Sequence, residues 1–252
     1  MTTNTPNVND ERAPIKNLAI CLGVVRSLQN RHPSQPNLGM FVGFSGYGKS
    51  VSTLFCQNKT GAAVIEMSSS WTRKDFLSKI LEELGVFQPR GRLAQMEEEI
   101  IGILARDPKR PLIIDEADIL VQRNMAELLR GIAKKSNVPV LLVGEELLPK
   151  KIAPLGDRFR DLFLVTQYAQ PCDLDDCRAL ARTFYPELSI SDDLLEEARS
   201  AGDGRVRRIV SSLHAIAENA GRKGTRAIDL SSYSDGNGRF SRSYIPSRQE
   251  VA

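Results

Sequence analysis

Histidine and cysteine are scarce in this chain, two and four among 252 residues. The cysteines, Cys21, Cys56, Cys172 and Cys177, form no CxxC pair, and only His32 and His214 stand to help them. That spacing argues against a zinc site and reads as reduced thiols filling gaps in a core. No uninterrupted apolar run reaches the roughly twenty residues that cross a bilayer, so no membrane partner is expected. The first fourteen residues, MTTNTPNVNDERAP, lack the apolar segment of a secretory signal; residues 1–14 read as a disordered leader and the location as cytoplasmic. Aromatics make up only 6%, and the single tryptophan, Trp71, reads as packing. Internal repeats are lacking too.

A strong overall charge is also missing, since the net value is +3. The charge is unevenly placed. From Arg205 onward nine basic residues face four acids, Glu218, Asp229, Asp235 and Glu250. A basic end suits contact with a polyanion such as nucleic acid.

Apolar spacing predicts an amphipathic helix over 15–29, broken by the two prolines of NRHPSQPN. Short buried strands are expected at 38–42, 62–67, 112–116, 138–143 and 162–165. Between them fall helices from Lys49 to Cys56, from the Thr72/Asp75 capping box onward, at 93–105 and at 125–135. This alternation predicts an α/β class, a parallel sheet flanked by helices, over 15–170. Beyond Pro171 the pattern turns to helices only, at 174–184, 192–200 and 205–219, which predicts a small α-helical lid over 171–220. From Gly221 to the end, Gly, Ser, Arg and Asn dominate, as in a basic flexible tail.

The stretch Gly43-Phe44-Ser45-Gly46-Tyr47-Gly48-Lys49-Ser50 satisfies G-x-x-x-x-G-K-[ST] between a strand and a helix. Glycines let backbone N–H groups turn inward around a phosphate, and the following helix aims its positive end at the same anion. Lys49 is expected on the β- and γ-phosphates of ATP and Ser50 on Mg²⁺, with the contact surface running on to Val51. The apolar run Leu112-Ile113-Ile114 ends in Asp115-Glu116. At the carboxyl end of a parallel strand, Asp115 would orient Mg²⁺ and Glu116 would hold the attacking water. Asp118 reads as a helix N-cap. The letters DEAD do not make a DEAD-box helicase: there is room for one RecA-like domain, and no Ser-Ala-Thr motif follows.

The order of glycine loop, acidic strand, Val138–Gly144 strand, arginine and helical lid resembles AAA+ ATPases from about Leu38 to Asn219. The resemblance implies an ATPase with three further site residues. Glu145 falls at the γ-phosphate reader called sensor 1, where the family more often has Asn, Thr, Ser or Gln. Arg158, or else Arg160, falls at the arginine finger that reaches a neighbouring subunit's nucleotide. Arg207, or else Arg205, falls at the lid arginine called sensor 2.

Within the superfamily, EMSSSWTRKDFLSKILEELG, IIDEAD, VLLVGEELLPKKI and the Gly-x-x-Arg-Arg-Ile lid motif look most like the target-selecting ATPases of DNA transposition, the phage Mu B group. That likeness implies ATP-dependent self-assembly into a helical filament or ring on duplex DNA and stimulation of a transposase. Arg73, Lys74 and Lys79 would face the DNA. The Mu B group carries an N-terminal DNA-binding helical domain, for which one helix and a leader stand here. The alternatives are a secretion-type AAA+ ATPase of the ExeA group and a replication-initiator or helicase-loader ATPase. ExeA-type chains usually add a membrane segment, and initiators a winged helix after the lid. A scaffold that binds ATP and barely hydrolyses it, and a small-molecule kinase, fit the motifs less well.

Overall fold

The structure, a computed structural model, describes residues 13–233 and Phe240. The leader, apart from its last two residues, and most of the basic tail fall outside the described residues. The chain divides into two compact units, Asn17–Gln170 and the stretch from Pro171 onward together with the residues up to Lys16.

The first unit builds α1 (Lys16–Gln29), β1 (Leu38–Val42), α2 (Lys49–Thr60), β2 (Ala63–Glu66), α3 (Arg73–Glu83) and α4 (Leu93–Arg106). There follow β3 (Leu112–Asp115), α5 (Ala117–Gln122), α6 (Ala126–Ser136), β4 (Val140–Gly144), α7 (Leu148–Ile152), a 3-10 turn at Ala153–Leu155, α8 (Asp157–Arg160) and β5 (Phe163–Tyr168). Five strands make one all-parallel sheet in the order β2-β3-β4-β1-β5. Successive strand residues point to opposite faces. Leu38, Met40 and Val42 therefore join one core with Ile65 and Ile114, covered by Phe76, Leu77 and Ile80 of α3, Ile100 of α4 and Leu129 of α6. Phe41, Ile113, Leu141 and Val143 join the other, covered by Val24, Val25 and Leu28 of α1 and Cys56 of α2. Both faces are buried, which is why the central strands read as continuous apolar runs. Helix α3 opens on the expected capping box: Thr72 accepts from the Asp75 N–H while the Asp75 carboxylate accepts from the Thr72 N–H. The last strand runs on to Tyr168 rather than stopping at Val165. It is an edge strand, and its polar end, Thr166-Gln167-Tyr168, hid it from a reading by apolar runs.

The second unit holds α9 (Leu174–Phe184), β6 (Ser189–Ile190), α10 (Asp192–Ala201), α11 (Val206–Lys223) and β7 (Ala227–Ile228). Helices alone were expected here. Instead β6 and β7 form a parallel pair that buries Ile228. Two-residue strands are too short to show alternation, so no periodicity announced them. Helix α11 also continues past Asn219 and Gly221 to Lys223, where Gly224 closes it in a left-handed conformation (φ 64°). The segment expected as a flexible tail thus begins inside a helix, and β7 lies within it. Asp173 and Asp176 cap α9, and Asp176 also accepts the Lys16 N–H at 2.8 Å.

All four cysteines are buried and free. Cys21 and Cys56 lie in the first unit with their sulfurs 3.6 Å apart. Cys172 and Cys177 lie in the second, and burial pushes both thiols up to about 12.

Candidate nucleotide site

Strand β1 ends at Val42, and the Gly43 N–H donates to the Gly144 carbonyl at the end of β4, 3.2 Å away. The chain then turns through two left-handed glycines, Gly46 (φ 88°) and Gly48 (φ 83°), into α2. No side chain caps that helix, so its first amides keep their donors for an anion. The Lys49 ammonium reaches back over the loop to the Gly43 carbonyl at 2.7 Å and the Phe44 carbonyl at 3.1 Å. Burial lowers its pKa, and Glu116, Asp115, Glu145 and Glu146 oppose that shift. The lysine therefore sits in the field of four carboxylates. Ser50 and Val51 are exposed on the first turn of α2, as are Phe44 and Ser45 on the loop. The Phe44 and Tyr47 rings meet edge to face.

Asp115 is the last residue of β3 and is 3% exposed. Its Oδ1 accepts the Glu116 N–H at 2.9 Å. Glu116 then takes a left-handed conformation (φ 54°, ψ 40°) that swings its side chain outward. Its carboxyl lies above the ordinary carboxylate range, first because of partial burial and then because of the Asp115 charge. The donor set of Ser50 and Asp115, one hydroxyl and one carboxylate, fits Mg²⁺, which takes few protein ligands and keeps water and phosphate oxygens. Glu145 is exposed just past β4.

Gly43–Val51, Asp115, Glu116 and Glu145 are thus gathered at the carboxyl ends of β1, β3 and β4. Arg73 and Lys74 open α3, after the carboxyl end of β2, and both are exposed. Lys79 is not grouped with them: five residues beyond Lys74 it points about 140° away around the helix, and it pairs with Glu82. Arg158 is exposed on α8, which leads into the amino end of β5, the end of the sheet opposite the phosphate loop. Arg160 beside it is tied to Asp157. Arg205 and Arg207 belong to the second unit, where Arg207 is exposed on the first turn of α11.

Two residues that matter locally, Asn17 and Lys151, escaped the sequence reading, and Asp118 plays another role than the one read for it. Asn17 is buried, and its amide donates to the Tyr47 carbonyl in the phosphate loop and to the Gln170 carbonyl, 2.8 Å each. Asp118 is not the N-cap of α5. That position is Glu116, and Asp118 turns inward to accept the Glu145 N–H at 2.7 Å and the Lys151 ammonium at 2.6 Å.

This strand order, with a phosphate loop after β1 and paired acids after β3, is the AAA+ P-loop fold. Residues 31–152 match the family model described as an AAA domain. A search of curated proteins finds no match. Among solved structures, the Aeropyrum pernix ORC2 protein in ADPNP-ADP complexes aligns with a TM-score of 0.66 at 14% identity, over 83% of this chain and 64% of that one. The A. pernix ORC1 protein in complex with DNA aligns at 0.60 and 18%, over 84% and 61%. Cdc6p from Pyrobaculum aerophilum aligns at 0.61 and 19%, over 90% and 68%. The chain thus spans somewhat under two thirds of the length of the first two. At these identities the likeness shows the fold. Among the described residues no helix is long and apolar enough to cross a membrane.

Proposed function

We propose that this chain is an ATP-hydrolysing switch that grips duplex DNA in its ATP-bound state. The observation that carries the reading is the convergence of Lys49, Asp115 and Glu116 beneath an uncapped helix start. On ATP binding, Lys49 exchanges the Gly43 and Phe44 carbonyls for phosphate oxygens. Ser50 and Asp115 would hold Mg²⁺, which when bound neutralises charge building on the phosphates. Glu116, with its raised pKa and outward reach, orients a water and takes its proton. Arg158, at the far end of the sheet, is offered to a neighbouring copy's phosphates, so hydrolysis depends on assembly into a filament or ring. Arg207 serves as the lid arginine. Arg73 and Lys74 contact DNA phosphates, which makes binding steeply salt-dependent and nearly indifferent to sequence.

For the client, the fold relatives favour the replication-initiator or helicase-loader alternative over the other two. One of them is an ORC1 protein solved in complex with DNA. The transposase-activating reading rests on the motif likeness at Glu66–Gly85, in IIDEAD, in VLLVGEELLPKKI and in the lid, and draws no support from these relatives.

The test is duplex-DNA binding with ATP, with ADP and without nucleotide, for the wild type and Lys49→Ala. ATP alone is expected to give tight binding, and Lys49→Ala to lose both ATP and DNA. Equal DNA affinity in all three states would sink the switch.

A further inference from the structure

Glu145, which the AAA+ resemblance puts at sensor 1, sets an exposed carboxylate just past β4, in the field that acts on Lys49 of the phosphate loop. A bare negative charge at that strand end opposes the ligand. Its neighbourhood contains a compensating arrangement. Asp118, 4% exposed on the first turn of α5, uses one carboxylate oxygen for the Glu145 N–H at 2.7 Å and the other for the Lys151 ammonium at 2.6 Å. The same ammonium reaches the Glu145 carboxylate at 3.5 Å. Gly144 makes this approach possible: a Cβ there would lie 2.4 Å from the Asp118 oxygen. Helix α5 starts at the acidic end of β3, and α7, which carries Lys151, leads on to α8 and Arg158. One buried carboxylate thus joins the hydrolytic strand, the end of β4 and the segment bearing the arginine.

We propose that Asp118 and Lys151 are positioning residues of the nucleotide site: they fix the Glu145 main chain and neutralise its carboxylate where the γ-phosphate approaches. The inference rests on the ATP reading above. The pair is no ordinary surface ion pair, because Asp118 is nearly inaccessible and a cation lost from it leaves a buried charge uncompensated. Two carboxylates share one ammonium, and the hydrogen bond from Lys151 to Asp118 is the shorter of the two. Lys151 is therefore anchored by Asp118 and lends its charge to Glu145. Asp118 and Glu145 together hold the Lys151 pKa above its ordinary value.

A structural prop and a charge neutraliser differ in what rescues them. The experiment is calorimetric titration of ATP and of ADP into the full chain, read as the ratio of the two affinities, since the γ-phosphate adds the charge that Glu145 would repel. Lys151→Met is expected to lower the ATP-to-ADP ratio about tenfold. Lys151→Arg should retain most of it, and Glu145→Gln added to Lys151→Met should restore it by removing the repulsion. Because Lys151→Met strands a buried charge, the pair Asp118→Asn with Lys151→Met provides a folded background, where the lowered ratio should persist. An unchanged ratio in either methionine background overturns the proposal, and so does a Glu145→Gln addition that fails to restore it in a folded protein. A wild type that binds neither nucleotide overturns the ATP reading itself, and the positioning role with it.

Discussion

Replacing Glu116 by asparagine should make the protein more stable while stopping hydrolysis. Glu116 is held at φ 54°, ψ 40°, where an L residue other than glycine costs roughly 1–2 kcal/mol and asparagine is among the better tolerated. Its side chain makes no capping bond to α5, so truncation forfeits no hydrogen bond there. Charge acts in the same direction. Partial burial and the Asp115 carboxylate raise the Glu116 pKa above its ordinary 4.5. The native state then binds the proton more tightly than the unfolded chain. Stability accordingly falls as pH rises from the ordinary value through the raised one, and the full cost is present above that window. Asparagine removes both penalties. The backbone part alone is worth about 1 kcal/mol, which in a domain of this size raises the Tm by about 2–4 °C. Thermal melts of wild type and variant across pH separate the two parts: the charge share fades towards pH 4.5 and the backbone share remains. ATP binding should persist, and steady-state phosphate release should disappear. A variant less stable than wild type at pH 7, a gain that grows as pH falls, or retained turnover would each refute the reasoning.

Arg158→Ala should leave ATP affinity intact and abolish the dependence of turnover on protein concentration; unchanged turnover per subunit would move the finger to another arginine. Gly144→Ala should destabilise by about 1–3 kcal/mol, because its Cβ would press within 2.4 Å of Asp118 and 2.8 Å of Leu148. A urea midpoint equal to wild type would show that the Asp118 contact yields freely.

The phosphate loop and the acidic strand were legible because their signals are local: glycines, a lysine and two acids each adjoin an apolar run. The parallel sheet followed from the same runs, since burial on both faces leaves no alternation to confuse the reading. Lys79 shows the limit of adjacency. It shares a segment with Arg73 and Lys74 but not a side of the helix. Asp118 shows another. Its partners are 27 and 33 residues away, and nothing in a first-turn aspartate distinguishes one that caps from one that turns inward. Asn17 reaches Tyr47 and Gln170 across 30 and 153 residues, contacts that only the assembled sheet creates. In β6 and β7 the chain length needed for a pattern was missing altogether.

The buried thiols have a use beyond packing. A reagent can modify a cysteine only when the surrounding structure opens, so labelling rates report opening equilibria segment by segment. Here the reporters are already distributed, Cys21 and Cys56 in the α/β unit and Cys172 and Cys177 in the helical one. The unmodified chain therefore carries an internal clock in each unit, and mass spectrometry of a labelling time course can read which of the two breathes first and which one a nucleotide quiets.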